Sequence, residues 1–251
     1  MRAERLNAVL GQLLEQGSVD VRGMATTFGV SGATIRRDLQ ALHEQGLLVR
    51  THGGAVANGG GLELPLRYKA TQHHSRKRLI GATAAKLVDA GAVVGMTGGT
   101  TMTEVARALA DRQDITVVTN ALNIATELVP RSNIRLLVVG GKARHASYEL
   151  VGPTAEAMVA EYHFDVVFFG VDGLTIEHGC TTHDEMEART DLAFIQRAQR
   201  TVVVADSSKV GRIKFARICD ISAVTDLVTD SGLDQNRVAA FERAGVSVEV
   251  A

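Results

Sequence analysis

Residues 31–39 read Ser31-Gly32-Ala33-Thr34-Ile35-Arg36-Arg37-Asp38-Leu39, with Phe28-Gly29-Val30 directly before them. The second group has the form of a turn between two short helices, and Ser31 suits a helix N-cap. Adjacent arginines near the start of a short amphipathic helix, just after a glycine turn, are what a helix needs to enter the DNA major groove. The stretch therefore predicts a nucleic-acid-binding module within the first fifty residues.

Three helical patterns surround it. Leu6, Val9, Leu10, Leu13 and Leu14 share one face of a first helix that stops at Gly17. Ser18 or Asp20 can cap a second, whose inner face is Val21, Met24, Ala25 and Phe28; Gly23 weakens it by up to about 1 kcal/mol relative to Ala. The third buries Ile35, Leu39 and Leu42 and ends at Gly46, which leaves Thr34, Arg36, Arg37 and Gln40 facing outward. Ser31 and the first free amides of that helix can hold a phosphate. An arginine there either grips guanine with both arms or only pins the backbone, and the sequence leaves that choice open. Asp38 reads as structural, pairing with a neighbouring arginine. The competing reading is a solvated charged face on a small helical bundle.

Leu47 to Val56 reads as two short strands around a tight turn, a wing that offers Arg50 and His52 to phosphates or the minor groove. Asn58-Gly59-Gly60-Gly61 follows as a flexible linker. The expected division is a winged helix-turn-helix over 1–57, a linker and connecting helix over 58–78, and an α/β domain over 79–251.

Composition sets the outer bounds. The chain has 251 residues, 45% of them hydrophobic and 22% charged, as in an ordinary soluble protein. Apolar runs reach five or six residues, far short of a membrane span. Two cysteines without a spaced framework make a reducing cytoplasm the expected compartment. The net charge of −1 is unevenly spread. Residues 1–78 carry eleven Lys/Arg against six Asp/Glu, and residues 79–251 carry sixteen against twenty-two. A basic arm on an acidic body fits a nucleic-acid partner.

Past Arg76, β-branched runs at Ala92–Met96, Ile115–Thr119, Ile134–Val139, Val166–Phe169, Thr201–Ala205, Ala223–Val228 and Val246–Val250 alternate with helical stretches. Those stretches are Thr101–Ala110, Ala121–Val129, Thr154–Tyr162, Glu185–Gln199 and Leu233–Ala244. This is the pattern of an α/β domain around a mostly parallel sheet, where ligands collect at the carboxyl ends of strands. Thr97-Gly98-Gly99-Thr100-Thr101 offers glycine amides, hydroxyls and a helix start for an anion. It lacks the full dinucleotide or P-loop signature. Later strand ends supply Thr119-Asn120, Gly140-Gly141-Lys142 with Arg144, Asp172-Gly173 and Asp206-Ser207-Ser208-Lys209. That mixture of amide, carboxylate and ammonium suits a phosphorylated polyol. His178 to Glu185 lacks metal-ligand spacing and reads as a loop over the ligand that caps the next helix, so neither metal nor cofactor is expected.

Residues 5–56 resemble the DNA-binding domain of DeoR-type bacterial transcriptional repressors. Ser31, Thr34 to Leu39, Arg50 and His52 to Ala55 carry the match, with Gly32 departing from the Pro or Glu frequent there. The resemblance continues through Gly99-Thr100-Thr101, Val118-Thr119-Asn120, Gly140-Gly141, Gly152-Pro153, Glu187-Ala188 and Asp206-Ser207-Ser208-Lys209-x-Gly211-Arg212, which look like that family's sensor domain. Thr97 stands where many members carry Asp. The resemblance implies a sensor related in fold to ribose-5-phosphate isomerase and coenzyme A transferases.

It also implies a repressor of carbohydrate genes that binds double-stranded operator DNA as a homodimer or homotetramer and is released by a sugar phosphate. The operator would meet Ser31, Thr34, Arg36, Arg37, Gln40, Arg50 and His52. The effector would meet Thr97, Gly98, Gly99, Thr100, Thr101, Asn120, Gly141, Lys142, Asp172, Glu187 and Lys209. An isomerase with an accessory domain is the alternative, since Asp172, Glu187 and Lys209 could imitate its acid–base set.

Overall fold

The computed structural model describes residues 2–57 and 63–251, and for Ala3, Leu14 and Glu15 the backbone alone. The Asn58–Gly61 linker therefore lies outside the described residues. The chain forms two compact units, residues 1–71 and 72–251.

In the first unit, α1 (Arg2–Gln16), β1 (Ser18–Asp20), α2 (Val21–Phe28), α3 (Gly32–Glu44), β2 (Val49–Arg50) and β3 (Gly54–Val56) follow one another, with a short α4 (Leu66–Lys69). Asp20 is the residue that caps α2, accepting from the Gly23 N–H at 2.7 Å. Gly29 ends α2 in the left-handed region, at φ 59°, as the turn requires. The wing strands pair, and β1 adds a third strand on the other side of β3, in the order β1-β3-β2. The apolar stripes meet in one core of Val9, Leu10, Leu13, Met24, Ile35, Leu39, Leu42 and Leu48. Leu64 and Tyr68 join it, so part of the segment expected as connector packs on this unit.

The second unit opens with α5 (His74–Ala84). Strands β4 (Val93–Met96), β5 (Ile115–Thr119) and β6 (Ile134–Val138) alternate with α6 (Thr100–Leu109) and α7 (Leu122–Leu128). A hairpin, β7 (Lys142–Arg144) and β8 (Glu149–Val151), precedes α8 (Pro153–Ala160) and β9 (Phe164–Phe169). Next come β10 (Gly173–Thr175), β11 (Gly179–Thr182), α9 (Glu185–Ile195), β12 (Ala198–Val204) and β13 (Ala216–Cys219). The unit closes with β14 (Asp226–Thr229), α10 (Gln235–Arg243) and β15 (Ser247–Val250). No described helix is long and apolar enough to cross a membrane.

All seven expected strands join one parallel sheet in the order β15-β14-β12-β9-β4-β5-β6. Its inner strands are buried on both faces, as parallel sheets require, while the edge strands β15 and β6 are partly exposed. Val166, Phe168, Val202 and Val204 pack with Ile80, Met102, Val105 and Leu128 on one side. Val167, Phe169 and Val203 pack with Val159, Phe194 and Phe241 on the other. The helix expected over Glu185–Gln199 stops at Ile195, because Ala198 already pairs with Phe164 in the sheet. Gly179–Thr182, expected as a loop, is instead a buried strand between β10 and β13.

Gly81 is where α5 crosses α6: a Cβ there would lie 2.6 Å from the Glu104 carbonyl carbon. Only glycine permits so close a backbone approach.

Candidate nucleic-acid interface and effector site

Ser31 caps α3, its hydroxyl accepting from the Thr34 N–H at 3.2 Å and lying 3.0 Å from the Thr34 hydroxyl. Ile35, Leu39 and Leu42 point into the core, which turns Arg36 and Arg37 out to solvent. Gln40 and Arg50 come together across helix and wing. An Arg50 Nη1–H donates to Gln40 Oε1 at 2.5 Å, and Gln40 Nε2 donates to Glu44 at 2.8 Å. His52 is exposed in the wing turn.

Asp38 departs from expectation. It is 2% exposed and pairs with Arg5 at 2.5 Å and Arg2 at 3.3 Å, both on α1. Neighbours one or two positions away on a helix do not face each other, so Arg36 and Arg37 could not serve. The ion pair locks α1 onto α3 and leaves both arginines of the outer face free of Asp38.

In the second unit the strand order reverses at β4, with β5 and β6 on one side and β9, β12, β14 and β15 on the other. Such a reversal at the carboxyl ends of β4 and β9 is the place where ligands of parallel sheets collect. The two loops there touch closely: a Cβ on Gly170 would lie 3.1 Å from the Gly98 carbonyl oxygen. Gly99 precedes α6 without any side-chain cap, so the first-turn amides at Thr100 and Thr101 carry the positive end of the helix dipole. Thr97 is buried and donates its amide to Phe168, and Gly98 gives its amide to Glu149 Oε1 at 2.8 Å. The amides of Thr97 and Gly98 are thus already engaged, which leaves Gly99, Thr100 and Thr101 as the candidates to meet an anion.

Around it stand residues from five other strand ends. Asn120, fully buried after β5, donates Nδ2 to Glu149 Oε1 at 3.4 Å and to the Leu150 carbonyl at 3.3 Å. Asp172 follows β9 and accepts from Lys209 Nζ at 3.0 Å, with His183 Nε2 at 3.9 Å. Asp184 caps α9, accepting from the amides of Met186 and Glu187 at 3.0 Å each. Thr182 donates its hydroxyl to Glu187. Arg144, on the hairpin, bridges Asp184 at 3.2 Å and Glu187 at 3.0 Å. Lys142 and Gly141 are exposed at the start of the same hairpin, and the ion pairs run through Arg144. The 3-10 turn at Ser207–Lys209 is held from below by Asp230, which accepts the Ser207 N–H at 2.7 Å and also faces Arg76 of α5 at 3.5 Å.

Burial pushes the Glu149 carboxyl above the usual carboxylate range. Glu187 and Asp191 are pushed well above it, first by burial and then by the charge of Glu149. Arg144 opposes this for Glu187 without cancelling it. Glu149 and Asp191 were not anticipated from the sequence. A glutamate next to the apolar pair Leu150-Val151, four residues before Pro153, was the available sign of an inward acid. Among the described residues no His/Cys/Asp/Glu group could hold a metal.

The DeoR-like helix-turn-helix domain matches residues 5–59, and the DeoR C terminal sensor domain matches residues 72–231. The HTH-type transcriptional regulator GlpR of Haloferax volcanii is 36% identical over 98% of this chain and 96% of its own length. The glycerol-3-phosphate regulon repressor of Escherichia coli K12 is 31% identical over 92% and 91%, and the HTH-type transcriptional repressor GlcR of Bacillus subtilis 31% over 98% and 95%. Ribose 5-phosphate isomerase A of Methanocaldococcus jannaschii aligns over 55% of each chain at 18% identity and a TM-score of 0.42. The named relatives over the full length are regulators, which decides against the isomerase alternative. The chain belongs to the DeoR family and is a transcriptional repressor, not an enzyme.

Proposed function

We propose that this repressor occupies an operator of carbohydrate genes through α3 and the wing, and that a phosphorylated sugar seated at the α6 N-terminus releases it. The observation that carries the reading is the uncapped start of α6 at the sheet's reversal point, ringed by Asn120, Asp172, Glu187 and Lys209. An uncapped helix start favours a phosphate, and the surrounding amide, carboxylates and ammonium suit sugar hydroxyls. Arg36 and Arg37 meet DNA, with Ser31 and Thr34 at the helix start, and Gln40 and Arg50 act as a joined pair beside His52. One recognition helix reads too few base pairs for a specific site, so the operator-bound form is a homodimer or larger.

Release requires that the ligand bind more tightly to a state unable to span the operator than to one that can. The test is an operator gel shift titrated with pentose and hexose phosphates, alongside a turnover assay. Release by one or a few compounds without turnover is expected. Operator binding indifferent to every sugar phosphate would overturn the reading.

A further inference from the structure

Cys180 and Cys219 stand directly opposite each other on the antiparallel strands β11 and β13. Neither belongs to the operator face or to the effector residues described above. Residues so placed have Cα atoms about 4.5–5.5 Å apart and side chains on one face, inside the span of about 4.4–6.8 Å that a disulfide bridges. Both thiols are free, and both enter the same apolar core. The strands are pressed together here: a Cβ on Gly179 would lie 2.1 Å from the Cys219 carbonyl oxygen. The ladder is interrupted directly after the pair, where Thr181 faces Arg217 and Ile218 is the extra residue. Cys180 is fully buried, whereas Cys219, on the edge strand of the small sheet, keeps 6% of its surface. The neighbouring Cys219 thiol, and then burial, hold the Cys180 thiol well above its usual range, and the charge of Asp191 adds to both.

A carboxyl group completes the cluster. Helix α9 packs across β11 and β13 and brings Asp191, 2% exposed, within electrostatic reach of both sulfurs. Its Oδ1 is buried without a hydrogen-bond partner. Buried acceptors are ordinarily satisfied, and one left open beside two thiols is placed to take a proton from them. Burial, followed by the charges of Glu149, Glu187 and Cys219, makes Asp191 a stronger base than an ordinary carboxylate.

We propose that Cys180, Cys219 and Asp191 form a redox-active dithiol site that a hydroperoxide converts to a disulfide, with Asp191 as the proton acceptor. Cys219, the thiol nearer solvent, gives its proton to the Asp191 carboxylate and attacks the peroxide. The O–O bond breaks. One oxygen stays on Cys219 as a sulfenic acid, and the other leaves as an alcohol or water with the proton from Asp191. The Cys180 sulfur then attacks the sulfenic sulfur, the S–O bond breaks, and hydroxide departs as water with the Cys180 proton. The two sulfurs have together lost two electrons and the peroxide has gained them. In a chain without a disulfide framework such a bond is reversible and redox-sensing rather than structural. It closes a loop that contains α9 and Lys209, and so stiffens the second unit.

The test uses the full chain, reduced and then freed of reductant, with hydrogen peroxide as the probe. Remaining thiols are alkylated after unfolding, and the peptides are identified by mass spectrometry. Both thiols are expected to disappear together, with one peptide joining Cys180 to Cys219 inside a single chain and dithiothreitol restoring both. The second unit of the oxidised chain should melt about 5 °C or more above the reduced one, a shift that dithiothreitol reverses. Cys180→Ser should halt the reaction at Cys219, where dimedone traps the sulfenic acid. Asp191→Asn should slow disulfide formation about tenfold or more near neutral pH. Raising the pH should close that gap, because hydroxide then takes the proton, whereas a purely structural role would leave the gap at every pH. The unsubstituted chain decides the proposal whether or not the variants fold. Thiols that stay free at a peroxide dose that fully oxidises the unfolded chain would overturn the inference. So would oxidation of one thiol alone to sulfinic acid, or cross-links between chains. An Asp191→Asn variant that oxidises at the parent rate at every pH would remove Asp191 from the site.

Discussion

Replacing Asp38 by alanine tests the claim that this residue fastens the recognition helix and reads no DNA. Asp38 is 2% exposed, and its partner Arg5 keeps only 12% of its side-chain surface. Removing one member of a buried ion pair costs about 3–5 kcal/mol, because the other charge is left without compensation. Arg5 retains some access to water, which puts the expected loss near the lower end, about 3 kcal/mol. The second arm, Arg2, is 66% exposed and adds less than about 0.5 kcal/mol. For a unit of this size each kcal/mol moves the midpoint by about 4–8 °C, so the loss should be roughly 12–24 °C. Hydrogen exchange of the α1 and α3 amides, followed through a thermal ramp on the full chain, isolates this unit from the other. Operator binding should survive at 10 °C and disappear at 37 °C. Asp38→Asn keeps one acceptor and should lose less. If the α1 and α3 amides of Asp38→Ala melt within about 2 °C of the parent, the ion pair contributes nothing and the argument is wrong.

Three further outcomes are expected. Arg37→Ala should abolish operator binding in a gel shift yet leave stabilisation by the effector intact; losing both would mean that Arg37 supports the fold. Lys209→Ala should bind operator but ignore the inducing compound, and a normal release curve would remove Lys209 from the site. The pH dependence of the second unit has a definite sign. Glu149, Glu187 and Asp191 hold their protons to higher pH folded than unfolded. Their contribution is therefore full below the ordinary carboxylate range and is lost as pH rises through the raised folded values. The melting point of the second unit should fall as pH is raised from the ordinary carboxylate range, Glu187→Gln should flatten that fall, and a flat wild-type profile would contradict it.

Period and punctuation made much of this architecture readable. The seven strands of the large sheet are β-branched runs, and each helix on them has an apolar face that had to be covered. The short pieces were not readable. Ser18–Asp20 is three residues long and doubles as a helix cap, so nothing local marks it as a strand. Gly179–Thr182 is buried at every position and shows no alternation. At the site, Asn120, Asp172 and Lys209 follow strands of the large sheet, because parallel strands deliver their carboxyl ends to one edge, whereas Glu187 arrives on α9 after β11 of the small antiparallel sheet. Glu149 comes from a hairpin that leaves the sheet, and only tertiary packing brings it beside Gly98 and Asn120. Asp38 shows the same limit. A buried carboxylate in an arginine-rich helix looks locally paired until α1 is placed against it.

Asp230 has a mechanical meaning. Its carboxylate receives the turn that carries Lys209 on one side and Arg76 from the first turn of α5 on the other. The same α5 is wedged backbone to backbone against α6 at Gly81, so neither helix can slide past the other. The turn that carries Lys209, through Asp230, and α6 thus both bear on α5, which begins within three residues of the boundary between the two units.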